Sequence, residues 1–436
     1  MIKVAVATLG CKVNQYESAG ILEALLKEEF SLVPFTAKAD YYIINTCTVT
    51  GRADYQSRQL IRRASRRNPG ASIIVTGCYA QIAPDELASI PGVTIVAGNA
   101  EKEKIPVILQ EMVNGKKQTL VGNIRQAREI SRLPVTRFSG HTRAFLKIQD
   151  GCNSFCSFCI VPFVRGRSRS LPEDKVMDQI AMLSQAGHRE VVLTGIHLGA
   201  YGQDLSPPTN LLHLLRSIQK HRTVERLRLS SIKPREITDE MISFMREVKT
   251  ICRHLHIPLQ SGDDGILSIM GRDYDTGFFR RLLKKFWHAI PDIAIGTDVM
   301  VGFPGEGDDE FGNTLRLIEE LPLAYLHVFP YSERPGTHAA KLPGRVRETE
   351  KKRRVAILRD LGKQKRDTFA ERFKGKKLSV LIETEKDSAG FMRGLSDNYI
   401  PVVITVGDSS LANQIVDLIP DHARDGRLYG RSIIND

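Results

Sequence analysis

Four short apolar runs open the chain: Val4 to Leu9, Tyr41 to Asn45, Ser72 to Thr76 and Val93 to Ala97. Helical periodicity separates them, as in Ser18 to Glu29 and Ala53 to Arg67. Strands alternating with helices predict an α/β domain with a parallel sheet covered on its faces. Beyond Gly140 come six more strand-like runs, near Phe145, Val192, Leu227, Leu255, Ile295 and Leu326. Helical segments lie between them, such as Pro172 to Ala186, where Pro suits a first turn and Gly187 a stop. Six such units read as an open or partial barrel, with its chemistry at the carboxyl ends of the strands. A basic helical stretch, Lys351 to Lys377, then leads to the apolar runs Leu378 to Ile382, Tyr399 to Val406 and Gln414 to Leu418. Short strands at this density predict a small β-barrel.

Composition adds a partner and a compartment. The 436 residues carry a net charge of +12, which favours a polyanionic partner. Seven cysteines are too few for a disulfide scaffold, so a reducing, cytoplasmic setting is expected. The start of the chain does not read as a signal peptide, and no apolar run is long enough to cross a membrane. The segment Arg58 to Arg67 holds five arginines and no acid, with Arg58, Arg62 and Arg66 in helical register and Arg63 and Arg67 beside them. That face is open to two readings, solvated surface or phosphate contact.

The cysteines carry the chemistry. Cys152, Cys156 and Cys159 lie in the spacing Cys-x3-Cys-x2-Cys behind a β-like run and a Gly turn. Three thiolates on one loop can hold three irons of a four-iron cluster, leaving the fourth open to a chelating ligand. A structural zinc site is the competing reading, but zinc prefers four protein ligands and no fourth Cys or His is near. Cys11, Cys47 and Cys78 each follow an N-terminal strand, at Gly10-Cys11, Thr46-Cys47 and Gly77-Cys78. The carboxyl ends of parallel strands share one edge, so these three are expected to converge on a second cluster. Simple packing is the alternative. Cys252 fits neither set and reads as a buried thiol.

The Cys-x3-Cys-x2-Cys loop, with Phe158 before its last cysteine, resembles that of radical S-adenosylmethionine (SAM) enzymes. Dispersed cysteines followed by this triad resemble the methylthiotransferase family within them. Asn45-Thr46-Cys47-Thr48-Val49-Thr50, Thr76-Gly77-Cys78-Tyr79-Ala80-Gln81 and Arg165-Gly166-Arg167-Ser168-Arg169-Ser170 also match its pattern. Thr8-Leu9-Gly10-Cys11-Lys12-Val13-Asn14-Gln15-Tyr16-Glu17 looks like the subgroup acting on threonylcarbamoyladenosine in tRNA. The subgroups for isopentenyladenosine and for a ribosomal protein typically differ just after the first cysteine.

The resemblance implies a flavodoxin-like domain at 1–125, a partial (β/α)6 radical SAM barrel at 138–370 and a TRAM-like RNA-binding barrel at 371–436, where Asn398-Tyr399-Ile400-Pro401-Val402 fits the pattern. It implies two [4Fe-4S] clusters, SAM, the tRNA anticodon loop as substrate, a sulfur source and an electron-donor protein. SAM contacts are expected from Phe158, Gly195, His197, Gly199, Ser230, Gly302 and Glu306, although His197 stands where an acid is common. Arg165, Arg167 and Arg169 read equally as tRNA-facing or solvated. The tail is expected to add tRNA affinity and not chemistry. Rival readings are a methylthiotransferase with another substrate and a non-catalytic RNA binder with structural metal.

Overall fold

The computed structural model describes residues 2–27, 30–111, 117–130, 133, 135–138, 140–406 and 409–432. The N-terminal sheet has six parallel strands, in the order Phe30–Leu32, Ile2–Thr8, Tyr41–Thr46, Ser72–Gly77, Val93–Ala97, Gln118–Leu120. Its first five strands take the flavodoxin-like 2-1-3-4-5 order. Apolar side chains leave the sheet on both faces, Ile44, Ile73, Val75 and Val96 on one and Val4, Ile43, Ile74 and Ile95 on the other. Two strands were not legible in the sequence, because three residues each are too short to show a period. The first helix runs Lys12–Leu26, several residues earlier than its apolar stripe suggested, and it starts directly after Cys11.

The central region holds all six predicted strands. Ala144–Lys147, Glu190–Thr194 and Arg226–Leu229 pair in parallel, as do His254–His256, Ala294–Val301 and Tyr325–Pro330. Bridges from Leu227 to Ile251 and from Ser231 to His256 join the two halves. The first and last strands do not pair, so this is a partial barrel. Leu255, Ile295, Val299 and Val328 face the helices in the main core. By the two-residue period of a strand, His254, His256, Asp298 and His327 therefore point into the lumen.

The tail closes a five-stranded barrel from Leu378–Lys386, Met392–Ser396, Pro401–Val406, Arg427–Ser432 and Ile415–Arg424. Its loop Ser396–Tyr399 enters the partial barrel. The Arg228 guanidinium donates to the carbonyls of Ser396 and Asp397 at 3.1 and 3.0 Å, and Tyr399 stacks on His254 at 4.1 Å. No helix among the described residues is long and apolar enough to cross a membrane.

Candidate active site between two cysteine triads

Cys11, Cys47 and Cys78 converge on the carboxyl edge of the first sheet. Two glycines allow it. At Gly10 (φ +97°) a Cβ would lie 2.9 Å from the Cβ of Cys47 and 3.0 Å from its Sγ. At Gly77 (φ +101°) a Cβ would lie 2.3 Å from the carbonyl oxygen of Thr46. Both positive dihedrals are readily reached only by glycine. Asn14 fixes the spacing of the loops by donating to the carbonyls of Leu9 and Thr46 at 2.7 and 3.0 Å. Burial, with the neighbouring Cys78 and Cys11, pushes the Cys47 thiol up to about 12. Cys11 keeps solvent contact yet is also pushed up by desolvation, the combination expected of a group lining an internal cavity. Thiols so placed stay protonated until a cation or cluster binds them.

The second triad lies on the loop after Ala144–Lys147. Gly166 accepts from the Cys152 backbone N–H at 3.1 Å, and the Cys156 carbonyl accepts from that of Cys159 at 2.9 Å. Met270 accepts from the Ser157 N–H at 3.0 Å, tying the loop to the far half of the barrel. Burial would raise the Cys152 thiol, but His197 and Lys233 outweigh it and bring it down to about 7. Its Sγ lies 3.5 Å from His197 Nδ1 and accepts from the Ser154 N–H at 3.4 Å, while Arg272 donates to Cys156 Sγ at 3.3 Å. Burial drives Cys159 up to about 12.

Neither triad is gathered as tightly as a single zinc ion requires. Zinc–thiolate bonds of about 2.3 Å place the sulfurs of one zinc about 3.8 Å apart. Among the described residues, one group of three or more His, Cys, Asp or Glu has all its ligand atoms within 4.8 Å, and it is His256, Asp298 and His327. Neither cysteine set is that tight, so each leaves room for a body larger than one ion. In the histidine group, His256 Nε2 is 2.9 Å and His327 Nδ1 3.4 Å from Asp298 Oδ1. Burial opposes ionisation of Asp298, but these two bonds hold its carboxyl well below the usual range.

Of the other expected cofactor residues, Phe158 lies within the second triad's loop and His197 touches Cys152. Gln149 reaches across, its Oε1 accepting from the His197 N–H and its Nε2 donating to the Gly151 carbonyl at 2.9 Å. Gly195 packs on Gln149, Gly199 packs on Glu236, and Glu236 holds His197 by its Nε2. Burial lowers His197, but its bonds to Cys152 and Glu236 prevail and raise it to about 9. Ser230 Oγ is buried without a hydrogen-bond partner at the end of the third strand. Phe158 meets Phe303 edge-on at 6.5 Å. Gly302 and Glu306 sit further out, where the Glu306 carboxylate accepts from the Gly302 N–H and from Arg354, both at 2.7 Å. That carboxylate is committed within the protein.

A network that the sequence did not announce runs from Cys78 of the first triad to Asp150, two residues before Cys152. Arg165 donates through Nε to Cys78 Sγ at 3.3 Å, and through Nη1 to Glu17 at 2.6 Å and to Asp150 at 3.3 Å. Lys147 bonds the same two acids at 2.9 and 3.3 Å. Arg165 and Arg169 are buried, so neither faces tRNA or solvent as expected, whereas Arg167 is exposed. The available signal was the acid at Asp150 beside the loop, which needs a buried cation.

The five arginines of Arg58 to Arg67, on the helix Gly51–Arg67, divide. Arg62, Arg63 and Arg66 are exposed and, among the described residues, make no hydrogen bond or ion pair, with Tyr55 also exposed on this helix. Arg58 is held by Tyr79 and Glu86, and Arg67 donates to the Phe35 carbonyl at 2.6 Å. Cys252 is buried and its thiol pushed up to about 12 by desolvation, as an ordinary core thiol would be.

Residues 3–98 match a family described as uncharacterized protein family UPF0004, and residues 146–318 match the radical SAM superfamily. Threonylcarbamoyladenosine tRNA methylthiotransferase MtaB of Bacillus subtilis is 42% identical over 95% of this chain and 93% of its own. The chain belongs to the radical SAM methylthiotransferases. This methylthiotransferase is also 40% identical to MtaB of Aquifex aeolicus, over 92% of this chain and 96% of that one. The tRNA-2-methylthio-N(6)-dimethylallyladenosine synthase of Pelotomaculum thermopropionicum is 34% identical over 99% and 97%. Among solved structures, the radical SAM methyltransferase TsrM of Kitasatospora setae, with cobalamin and a [4Fe-4S] cluster bound, superposes with TM-score 0.55 at 16% identity. It covers 78% of the methylthiotransferase and 77% of TsrM, a likeness of fold.

Proposed function

We propose that this methylthiotransferase adds a methylthio group to C2 of threonylcarbamoyladenosine next to the anticodon of tRNA. The observation that carries the reading is the coincidence of 37–42% identity to four MtaB proteins with two cysteine triads, Arg165 from the loop after the second donating to Cys78 of the first. Cys152, Cys156 and Cys159 would hold the SAM-binding [4Fe-4S] cluster, and Cys11, Cys47 and Cys78 a second one. No side-chain acid or base removes hydrogen from an unactivated aromatic carbon, and the bound clusters and SAM supply the radical and sulfur chemistry for it.

The chain's own residues position and shield. Gln149 and Glu236 fix His197 beside Cys152, and the loop Gly195–Gly199 with Ser230 would line the SAM side. Arg165 donates to Cys78 Sγ while anchored by Glu17 and Asp150. The target base must leave its stack to reach the lumen. Arg62, Arg63 and Arg66 would hold backbone phosphate meanwhile, and the closed tail barrel would act as a TRAM-like RNA grip. All seven cysteines are free, which supports work in a reducing cytoplasm. The radical chemistry would call for a protein electron donor and a separate sulfur source.

Mass spectrometry of tRNA nucleosides from a strain lacking this gene tests the reading. Loss of 2-methylthio-N6-threonylcarbamoyladenosine, with its return when the gene is restored, is expected. Loss of the isopentenyl counterpart instead would overturn the substrate.

A further inference from the structure

An aromatic ring stands exposed at the mouth of the lumen. Phe329 is 44% exposed near the end of Tyr325–Pro330, the last strand of a barrel that does not close. Val328 turns to the helices, so by the two-residue period Phe329 turns the other way, and its ring meets that of His327 edge-on at 6.4 Å. Phe329 lines two adjoining cavities. The outer one, of about 760 Å³, lies between the helix Gly51–Arg67 of the sheet domain and the helix Glu348–Glu371. The inner one, of about 210 Å³, shares Thr50, Phe329, Tyr331 and Ser332 with it and is lined by Cys159 of the second triad.

The sheet domain and the barrel are pinned together at this cleft. The Gly51 N–H donates to Ser332 Oγ at 3.0 Å, and the buried Arg334 donates to Asp54 at 2.6 Å and to Thr48 at 2.8 Å. The charge of the cleft is one-sided. Its two acids, Glu333 and Glu348, are held by Arg345 at 2.9 Å and by Lys351 at 2.7 Å. Arg52, Lys352 and Arg359 are exposed in its wall and, among the described residues, make no hydrogen bond or ion pair. Unpaired cations beside an exposed ring suit single-stranded nucleic acid, which sets phosphates on the cations and a base on the ring. By helical period Arg52 shares its face with Tyr55, Arg62, Arg63 and Arg66, so the cationic face runs on for about 21 Å beyond the cleft.

We propose that this cleft is the entry for the single-stranded anticodon loop. An unpaired base next to the target stacks on Phe329, Arg52, Lys352 and Arg359 hold backbone phosphate, and the target base goes on toward Cys159. A protein electron donor would meet the same cations, but the ring at the mouth of the lumen favours RNA. The inference rests on the tRNA reading above. It makes Phe329 a positioning residue, acting through the neighbouring base and not on the carbon that reacts.

The test uses the full chain with both clusters reconstituted and tRNA anticodon stem-loops carrying threonylcarbamoyladenosine, with 5-iodouridine on its 5′ or its 3′ side. Irradiation joins 5-iodouridine to a ring stacked on it, and peptide mass spectrometry finds the residue. One of the two loops should join to Phe329. In filter binding Phe329→Ala, checked for iron content, should bind roughly 5- to 150-fold more weakly, the range of one base–aromatic stack. Phe329→Tyr should restore most of the affinity. Combining Arg52→Gln, Lys352→Gln and Arg359→Gln should lower the slope of log affinity against log salt by roughly 0.7 for each phosphate no longer neutralised. Crosslinks at other residues only, or unchanged affinity in Phe329→Ala with an unchanged slope in the triple variant, overturn the assignment. So does a triple variant that binds RNA normally and is reduced by dithionite, yet is reduced slowly by flavodoxin; the cleft would then serve the electron donor. Absence of methylthio product from wild type on full-length tRNA carrying threonylcarbamoyladenosine would instead overturn the substrate reading, so the two failures are distinguishable.

Discussion

Glu17 of the sheet domain lies 2.6 Å from Arg165 of the barrel, with both side chains buried in the seam between the two cysteine triads. Burial opposes ionisation of Glu17, but Arg165, Lys102 and Lys147 together hold its carboxylate well below the usual range. Removing one partner of such a set leaves uncompensated charge, at a cost of about 3–5 kcal/mol. Glu17→Ala should therefore lower stability by that order, whereas loss of an exposed pair such as Arg216–Glu240 should change it by under about 1 kcal/mol. Denaturant unfolding of the two variants checks the contrast.

Cysteine removal should split the reaction. Cys156→Ala is expected to lose one cluster and all 5′-deoxyadenosine formation. Cys47→Ala should fall from about eight irons to about four and still form 5′-deoxyadenosine with dithionite, without methylthio product. Iron and sulfide analysis precedes the assay. Full iron with normal product in the Cys47 variant would make the strand-end cysteines packing residues.

Neutralising Arg62, Arg63 and Arg66 together should weaken tRNA binding and reduce the slope of log affinity against log salt, by roughly 0.7–0.9 for each phosphate that is no longer neutralised. Arg58→Gln should not alter that slope, because Arg58 is tied to Tyr79 and Glu86. Filter binding between low and high salt reads both.

Acid should loosen the joint between the barrel and the tail. Burial opposes ionisation of Glu190, but Arg228 outweighs it and its folded pKa is depressed. A depressed carboxylate stabilises fully above its unfolded value of about 4.3 and loses that contribution as pH falls through the lower folded value. Stability measured from pH 5 downward should fall with acid in wild type. Glu190→Gln should start less stable and show a shallower slope. Parallel slopes would remove Glu190 from the account.

The strand-end position of Cys11, Cys47 and Cys78 was legible because a parallel sheet puts all such ends on one edge. All six barrel strands were legible too, since each is a buried run between helices. Arg165 and Arg169 were not, because a charged residue looks alike in sequence whether it is solvated or paired with a distant acid. The role of the tail was only half legible. Tyr399 and the carbonyls of Ser396 and Asp397 complete the lumen around His254 and Arg228, so cutting the chain after Arg372 removes part of the barrel wall along with any RNA grip.

The Glu17–Arg165 contact also sets a clock on biosynthesis. The two residues are 148 positions apart. At the usual speed of a ribosome, roughly 5–20 residues per second, Glu17 emerges some 7–30 s before Arg165. Until then Glu17 can pair with Lys102 of its own domain but not with Arg165 or Lys147, and Cys78 lacks the guanidinium that later stands beside it. The nascent sheet can pair its strands early, but the edge that carries Cys11, Cys47 and Cys78 is completed only when the barrel's first loop has left the tunnel.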